Sequence, residues 1–413
     1  MSALTEEQKD VAKKYDLTGT LTQFVDRHLL YPLLENSVCI YPANVIDQLE
    51  FDVLKDTYML KSLQEIYHNI HPDEKDLPQE FATREKEIMD KLVPLNESTK
   101  KTLEILCSPE VQQHLKQDKI SNRELIKAHG IDDAKILELY EFGKLQYNRG
   151  DYVMASDLLN NFKLLSTDQT LVQKAVCGKL VSDIMSGDVD EAKEELNKLR
   201  EIIDNKTFTG TSIEQLKLRN WMIHNSLFIY FSEKELTDPS HLSTMNELFM
   251  SSSYSSTIEA SSPWILRYII ASILYTKDFR RLKDIAKAVE IESYEYQDPF
   301  TTLINVLTTS FEFHRLASII EEIKIVAETD FFLNHLNKDI LLANIYELSI
   351  KNILKVYKTA TAKDLQKFIG NVEIPDEFLV VKNDKSDDLY FQTYEKTKAL
   401  SFKSSQFLSN AFD

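Results

Sequence analysis

As a pattern of apolar and polar positions, the segment from Asp133 to Tyr147 is a helix. Ile136, Leu139, Tyr140, Gly143 and Tyr147 recur three, four, seven and eleven residues on and fall on one stripe. A second amphipathic helix follows at once, with Tyr152, Ala155, Leu158, Leu159 and Phe162 on its face, and the turn Arg149-Gly150-Asp151 makes the two a hairpin. The turn returns: Gly187-Asp188 with Ala192 repeats Gly150-Asp151 with Ala155. Lys277-Asp278 with Leu282 and Phe311-Glu312 with Leu316 are weaker echoes. A repeat of roughly 34 to 47 residues made of helical hairpins marks tetratricopeptide, HEAT and related solenoids, where each hairpin covers its apolar face only by stacking on the next. The expected fold is an all-α helical-repeat solenoid.

Toward the C-terminus the texture changes. A long helical pattern from Phe331 to Tyr357 gives way to a short helix over Thr361–Gly370 with glycine as its stop. Glu377-Phe378-Leu379-Val380-Val381 then reads as a strand, closed by the polar turn Lys382–Asp388, so a small winged-helix module is expected. Beyond it, Tyr390, Tyr394, Thr397, Leu400, Ser404, Phe407 and Ala411, with Leu408 alongside, are spaced as on a partner-binding helix. The division expected is an N-terminal helical region over 1–130, repeats over 131–235, a module over 236–389 whose winged helix occupies 355–389, and a C-terminal helix over 390–413. The serine-rich run Ser251–Ser262 reads as a solvated loop in preference to a phosphorylated switch.

Composition supports helices with short connections: 8 Gly and 10 Pro in 413 residues fall far below the roughly 12% of average usage. Four prolines follow a capping residue, at Ser108-Pro109, Asp238-Pro239, Ser262-Pro263 and Asp298-Pro299, and are expected to start helices. The net charge of -18 opposes non-specific adhesion to nucleic acid or anionic membrane, which confines any RNA contact to local basic clusters. Cys39, Cys107 and Cys177 are unpaired by spacing, as suits a reducing compartment. No signal pattern opens the chain, and its most apolar stretch, Trp264–Tyr275, contains Arg267. The reading is a cytoplasmic protein without a membrane span, with a nuclear pool left open.

Catalytic chemistry finds little support. No two glycines are close enough to cradle a phosphate, and Gly143-Lys144 and Gly178-Lys179 lack the Ser or Thr that would meet magnesium. His68 and His71 have no third ligand in a zinc-hydrolase pattern, and His28 beside Asp26 is read as helix packing; a helical hydrolase using either is the alternative from another class. Trp221 and Trp264 are read as core. The basic runs Arg280-Arg281-Lys283-Lys287 and Lys396-Lys398-Lys403 carry no interleaved aromatics, so acid-facing or solvated surfaces are preferred to RNA contacts. No cofactor, metal or small-molecule substrate is expected.

Several strings together resemble one family, the e subunit of eukaryotic translation initiation factor three. They are Tyr15-Asp16-Leu17-Thr18, Phe24-Val25-Asp26-Arg27-His28-Leu29-Leu30-Tyr31-Pro32, Arg219-Asn220-Trp221-Met222-Ile223-His224, Ile265-Leu266-Arg267-Tyr268, Glu292-Ser293-Tyr294-Glu295-Tyr296-Gln297-Asp298-Pro299 and Glu395-Lys396-Thr397-Lys398-Ala399-Leu400-Ser401-Phe402. The resemblance implies a PCI protein, non-enzymatic, whose helical repeats end in a PCI-type winged helix. It implies winged helices lined up edge to edge, C-terminal helices gathered in a bundle, partners among the other PCI subunits and the d subunit, and an assembly that binds the small ribosomal subunit and helps recruit mRNA. Where such proteins carry a further helix between the short helix and the strand, here only Gly370–Glu377 intervenes, so the winged helix is abridged. Phe378, Leu379 and Val380 on the strand edge and Tyr390, Tyr394, Leu400, Phe407 and Leu408 on the last helix are thus the expected subunit contacts. A scaffold subunit of the proteasome lid or the COP9 signalosome is the alternative, which the strings around Asp26-Arg27-His28 and Glu395-Lys396-Thr397-Lys398 disfavour.

Overall fold

The computed structural model describes residues 4–72, 78–106, 119–205, 210–232, 239–357, 362–370 and 396–404, with residues 108, 111, 208, 393 and 394. In chain order its helices are α1 (Glu6–Tyr15), α2 (Thr18–Leu21), α3 (Arg27–Asn36), α4 (Ala43–Leu54), α5 (Leu60–Ile70), α6 (Gln79–Leu106) and α7 (Lys119–Ala128). The repeats follow as α8 (Asp133–Arg149), α9 (Tyr152–Leu165), α10 (Gln169–Ser186), α11 (Val189–Asp204), α12 (Ser212–Tyr230), α13 (Ser240–Phe249) and α14 (Ser252–Ser261). The last are α15 (Ile265–Thr276), α16 (Leu282–Glu292), α17 (Pro299–Asn305), α18 (Leu316–Thr329), α19 (Lys338–Val356) and α20 (Ala362–Ile369). A further helix covers 396–404, and no strand occurs among the described residues. The chain is an all-α helical-repeat solenoid; the expected strand at Phe378, Leu379 and Val380 lies outside the described residues.

The recurring turn has one physical cause. Gly150, Gly187, Lys277 and Phe311 all close their helices in the left-handed conformation, with φ of 85°, 77°, 59° and 55°. The first two use glycine, which meets no steric penalty there, while Lys277 and Phe311 hold it despite a side chain. Asp151 and Asp188 then cap the next helix by accepting from the backbone N–H of Met154 and Glu191. Small residues let the helices close up: Ala155 and Ala192 are fully buried, and a Cβ on Gly143 or Gly178 would stand 3.1 Å from a methyl of Leu159.

Three sequence expectations are corrected. The run Ser251–Ser262 is not a loop but contains α14, because Tyr254, Thr257 and Ile258 bury themselves on a helical face. The pattern from Phe331 is interrupted by a short 3-10 turn at Leu333–His335, and α19 begins only where Asn337 caps it by accepting from the N–H of Asp339 and Ile340. Asp298-Pro299 starts a helix as expected, but Ser262-Pro263 does not: two turn residues precede α15, and the Ser262 hydroxyl is buried without a partner.

One core runs from Val176 to Ile369 and takes in Leu17, Leu21, Val25, Leu29, Leu30 and Leu33 from the N-terminal helices. Distant parts of the chain are thereby closed on one another. α1 packs along α18, Tyr15 Oη donates to Glu322 (3.0 Å), and Asn36 Nδ2 donates to the Thr329 carbonyl (3.0 Å). A second core lies between α8, α9 and their neighbours, and a third holds Leu54, Leu63, Ile66 and Phe81 of the N-terminal helices.

Candidate partner-binding surfaces

The frame that carries any partner surface is fixed at two buried nodes. At the first, Arg267 of α15 is 1% exposed and points its guanidinium three ways. Nε donates to Asp298 (2.8 Å), Nη1 to Asp330 (3.1 Å) and Nη2 to the carbonyl of Tyr15 (2.8 Å). Tyr268 and Tyr296 donate to the same two carboxylates, each at 3.1 Å. Burial opposes the charge, but the oxygens of Tyr296, Asp298 and Asp330 outweigh it and hold the guanidinium firmly protonated. Asp298 also caps α17 through Thr301, so one cation joins the entry of α17, the turn after α18 and the end of α1.

At the second node, His224 Nδ1 donates to the Asn220 carbonyl (2.8 Å), which leaves Nε2 to accept from Trp264 Nε1 (3.0 Å). Phe24 stacks on the imidazole at 4.7 Å. Burial pulls the His224 pKa from 6.5 down to about 4, so the ring is neutral. The unfolded imidazole binds a proton more readily than the folded one; the stabilisation is whole above pH 6.5 and shrinks as pH falls toward 4. Acidification from pH 8 to 5 is expected to remove about 2 kcal/mol through this one group. Urea unfolding of His224→Gln should lack that share of the acid sensitivity.

Between α8, α10 and α12 lies an open groove of about 420 Å³, walled by Tyr140, Tyr147, Leu159, Gly178, Leu218 and Trp221. Lys144 and Lys174 are at its exposed rim, and Asp26, Cys177 and Asn148 also line it. Asp26 is engaged: it accepts from the Tyr147 hydroxyl and caps α3 through the His28 N–H. His28 Nδ1 is hydrogen-bonded to Tyr152 Oη (2.9 Å), and burial lowers its pKa. Burial, helped by Asp26, pushes the Cys177 thiol up to about 12. Neither Cys177 nor His28 is poised as a nucleophile or base by these contacts, which gives the helical-hydrolase reading of His28 no support. His68 and His71 serve no better, as His71 ends α5 with its ring 4.6 Å from that of Tyr67. Apolar walls under a cationic rim suit an apolar side chain presented by another polypeptide. The sequence signal for this groove is the Tyr140, Gly143, Tyr147 stripe, which reads equally as core.

The C-terminal candidates divide. Tyr394 and Leu400 are 62% and 65% exposed, and Phe402, which the heptad-like spacing does not single out, is 72% exposed. Phe378, Leu379, Val380, Tyr390, Phe407 and Leu408 lie outside the described residues. Lys396, Lys398 and Lys403 share the exposed helix. Upstream, α20 buries Leu365 and Ile369 in the main core and stacks Phe368 on Tyr357 at 5.8 Å, and Gly370 stops it with φ 86°. The other basic run faces acids, as expected: Arg281 reaches Asp278 (2.8 Å) and Glu247 (3.4 Å), and Arg280 reaches Asp278 (3.3 Å).

A family model described as the eIF3 subunit 6 N-terminal domain matches residues 16–146. The e subunit of eukaryotic translation initiation factor 3 from Yarrowia lipolytica is 35% identical, over 96% of this chain and 99% of the relative. The proteins of the same name from Schizosaccharomyces pombe and Sclerotinia sclerotiorum are 34% and 32% identical, the first over 81% of this chain and 69% of its own length, the second over 99% and 95%. The chain belongs to the family of the e subunit of eukaryotic translation initiation factor 3. The relatives are named as subunits of a translation initiation factor. Five of the six strings through which the sequence resembles the family meet in space: Tyr15, Arg267, Tyr268, Tyr296 and Asp298 form the first node, and Phe24 and His224 the second.

Proposed function

We propose that this chain is a non-catalytic scaffold of translation initiation factor 3, holding neighbouring subunits and through them supporting recruitment of the small ribosomal subunit and mRNA in the cytoplasm. The observation that carries the reading is the helix over 396–404, which leaves Leu400 and Phe402 facing water. Such a face costs about 25 cal/mol for each Å² left wet and is relieved when a partner helix covers it. The strand edge at Phe378, Leu379 and Val380, the residues Tyr390, Phe407 and Leu408 and the division into a solenoid and a 236–389 module belong to the same proposal. Its partners are the other PCI subunits and the d subunit, with any mRNA contact local to the basic lysines of the last helix.

The test is purification of the tagged full-length chain from its host, with identification of what accompanies it. Initiation factor 3 subunits in comparable amounts are the expected result. A proteasome-lid or signalosome set, or a solitary monomer, would overturn the proposal.

A further inference from the structure

The groove between α8, α10 and α12 has a charge pattern that its apolar walls do not explain. Two of its helices each bring an exposed lysine to the mouth, Lys144 on α8 and Lys174 on α10. Neither has an ion-pair or hydrogen-bond partner among the described residues. Deeper in the same stack the opposite holds, since Lys163 reaches Glu195 (2.5 Å) and Lys179 reaches Asp183 (2.7 Å). Asp168, the acid whose charge feels Lys174, is committed to capping α10. Glu141 stands one turn before Lys144 on α8 without pairing with it. Inside the groove, the Asp26 carboxylate already accepts from the Tyr147 hydroxyl and the His28 N–H. In a chain with 48 basic and 66 acidic residues, two cations at one opening are thus left without an acid of their own.

Resting on the reading of the chain as a subunit of an assembly, we infer that this groove receives an acidic segment of a neighbouring protein of that assembly. One aromatic side chain of the segment enters between Tyr140, Leu159 and Trp221, and carboxylates flanking it meet Lys144 and Lys174. The volume of about 420 Å³ lies toward the lower end of the roughly 300–1,000 Å³ of ligand sites, enough for one large side chain in an open slot. Tyr140, Tyr147 and Trp221 are partly exposed into it and offer ring faces and edges to an inserted ring, while Gly178 adds no side chain to the wall. The lysines at the mouth complement the acidic flanks, and complementarity of this kind sets the specificity and speed of docking. Single-stranded RNA also combines ring stacking with cations, but it follows a groove whose positive charge tracks the backbone. Here two lysines stand on a chain of net charge -18, with the Asp26 carboxylate inside the same groove.

Zero-length carbodiimide coupling joins a lysine to a carboxylate in direct contact with it and so reads the inferred ion pairs. The full-length chain is purified with its assembly, treated with nuclease, coupled and analysed by mass spectrometry. The expected product joins Lys144 or Lys174 to an aspartate or glutamate of another protein, close in sequence to an aromatic residue. Both lysines left uncoupled, or coupled only to this chain or to a second copy of it, would overturn the inference. So would ultraviolet cross-linking of the groove to RNA before nuclease treatment. Full-length variants are then added to initiation factor 3 purified from cells depleted of this chain. Lys144→Glu with Lys174→Glu is expected to bind at least about tenfold more weakly than wild type at about 0.1 M salt. The gap should narrow toward 1 M, where the screening length falls from about 10 Å to about 3 Å. Lys283→Glu with Lys287→Glu, the same charge change on α16, should bind as wild type, and an equal loss there would reduce the effect to net charge and overturn the inference. Gln173→Trp, which fills the mouth from α10, should lose affinity at both salt concentrations, whereas Gln173→Ala should not. Unchanged affinity of the tryptophan variant would remove the inserted side chain. The wild-type coupling product decides the matter even where a variant melts early. Failure of wild type to join the depleted factor would instead defeat the assembly reading, and this inference with it.

Discussion

Arg267→Leu is expected to lower the stability of the chain by about 3–5 kcal/mol, the usual result of removing one member of a buried ion pair. Two carboxylates are stranded at once: Asp298 and Asp330 both bond the guanidinium, and the nearby tyrosine hydroxyls supply donors without charge. The Tyr15 carbonyl loses its donor as well. Urea denaturation measures the loss, and limited proteolysis adds a signature that a merely loosened core would lack. Cleavage should concentrate before Ser37, in the segment that Arg267 and Asn36 tie to the far repeats. Arg267→Lys should recover only part of the stability, since an ammonium cannot reach three acceptors held in a planar fork. A loss below about 1 kcal/mol for the leucine variant would mean that the node is dispensable.

The second large effect is on assembly. Leu400→Asp combined with Phe402→Asp is expected to weaken incorporation at least about thirtyfold, taking about 1–3 kcal/mol for each anchor that ceases to be buried. Both side chains are exposed in the free chain, so circular dichroism and melting temperature should stay at wild-type values. Leu400→Asp with Phe407→Asp should behave the same way. Undiminished co-purification of either variant would remove the last helix from the interface.

How much of the fold is readable from sequence follows from how local each cause is. The left-handed turns at Gly150 and Gly187 announce themselves because glycine and a capping aspartate sit side by side. Lys277 and Phe311 adopt the same turn with residues that give no such cue, and only the register of the following Leu282 and Leu316 hints at it. Serines in α14 point to a loop because their propensity is local, whereas the burial of Tyr254, with its hydroxyl on Asp204 (3.2 Å), is tertiary. In sequence Arg267 registers as a charge that spoils a membrane span and as one member of a string shared with a family, and neither says what it bonds. Its role needs Asp298, Asp330 and Tyr15, which no pattern along the chain connects.

The closure of α1 onto α18 bears on how the protein is made. Tyr15 leaves the ribosome 315 residues ahead of Asp330, as their numbers show, so at about 5–20 residues per second the first helix waits roughly 15 to 60 s for its seat to be synthesised. Until then Tyr15 lacks Glu322 and Arg267, and α1 lacks the surface of α18 along which it finally packs. Biogenesis thus has an interval in which a nascent-chain chaperone has something to hold, and slowing translation late in the message should lengthen it.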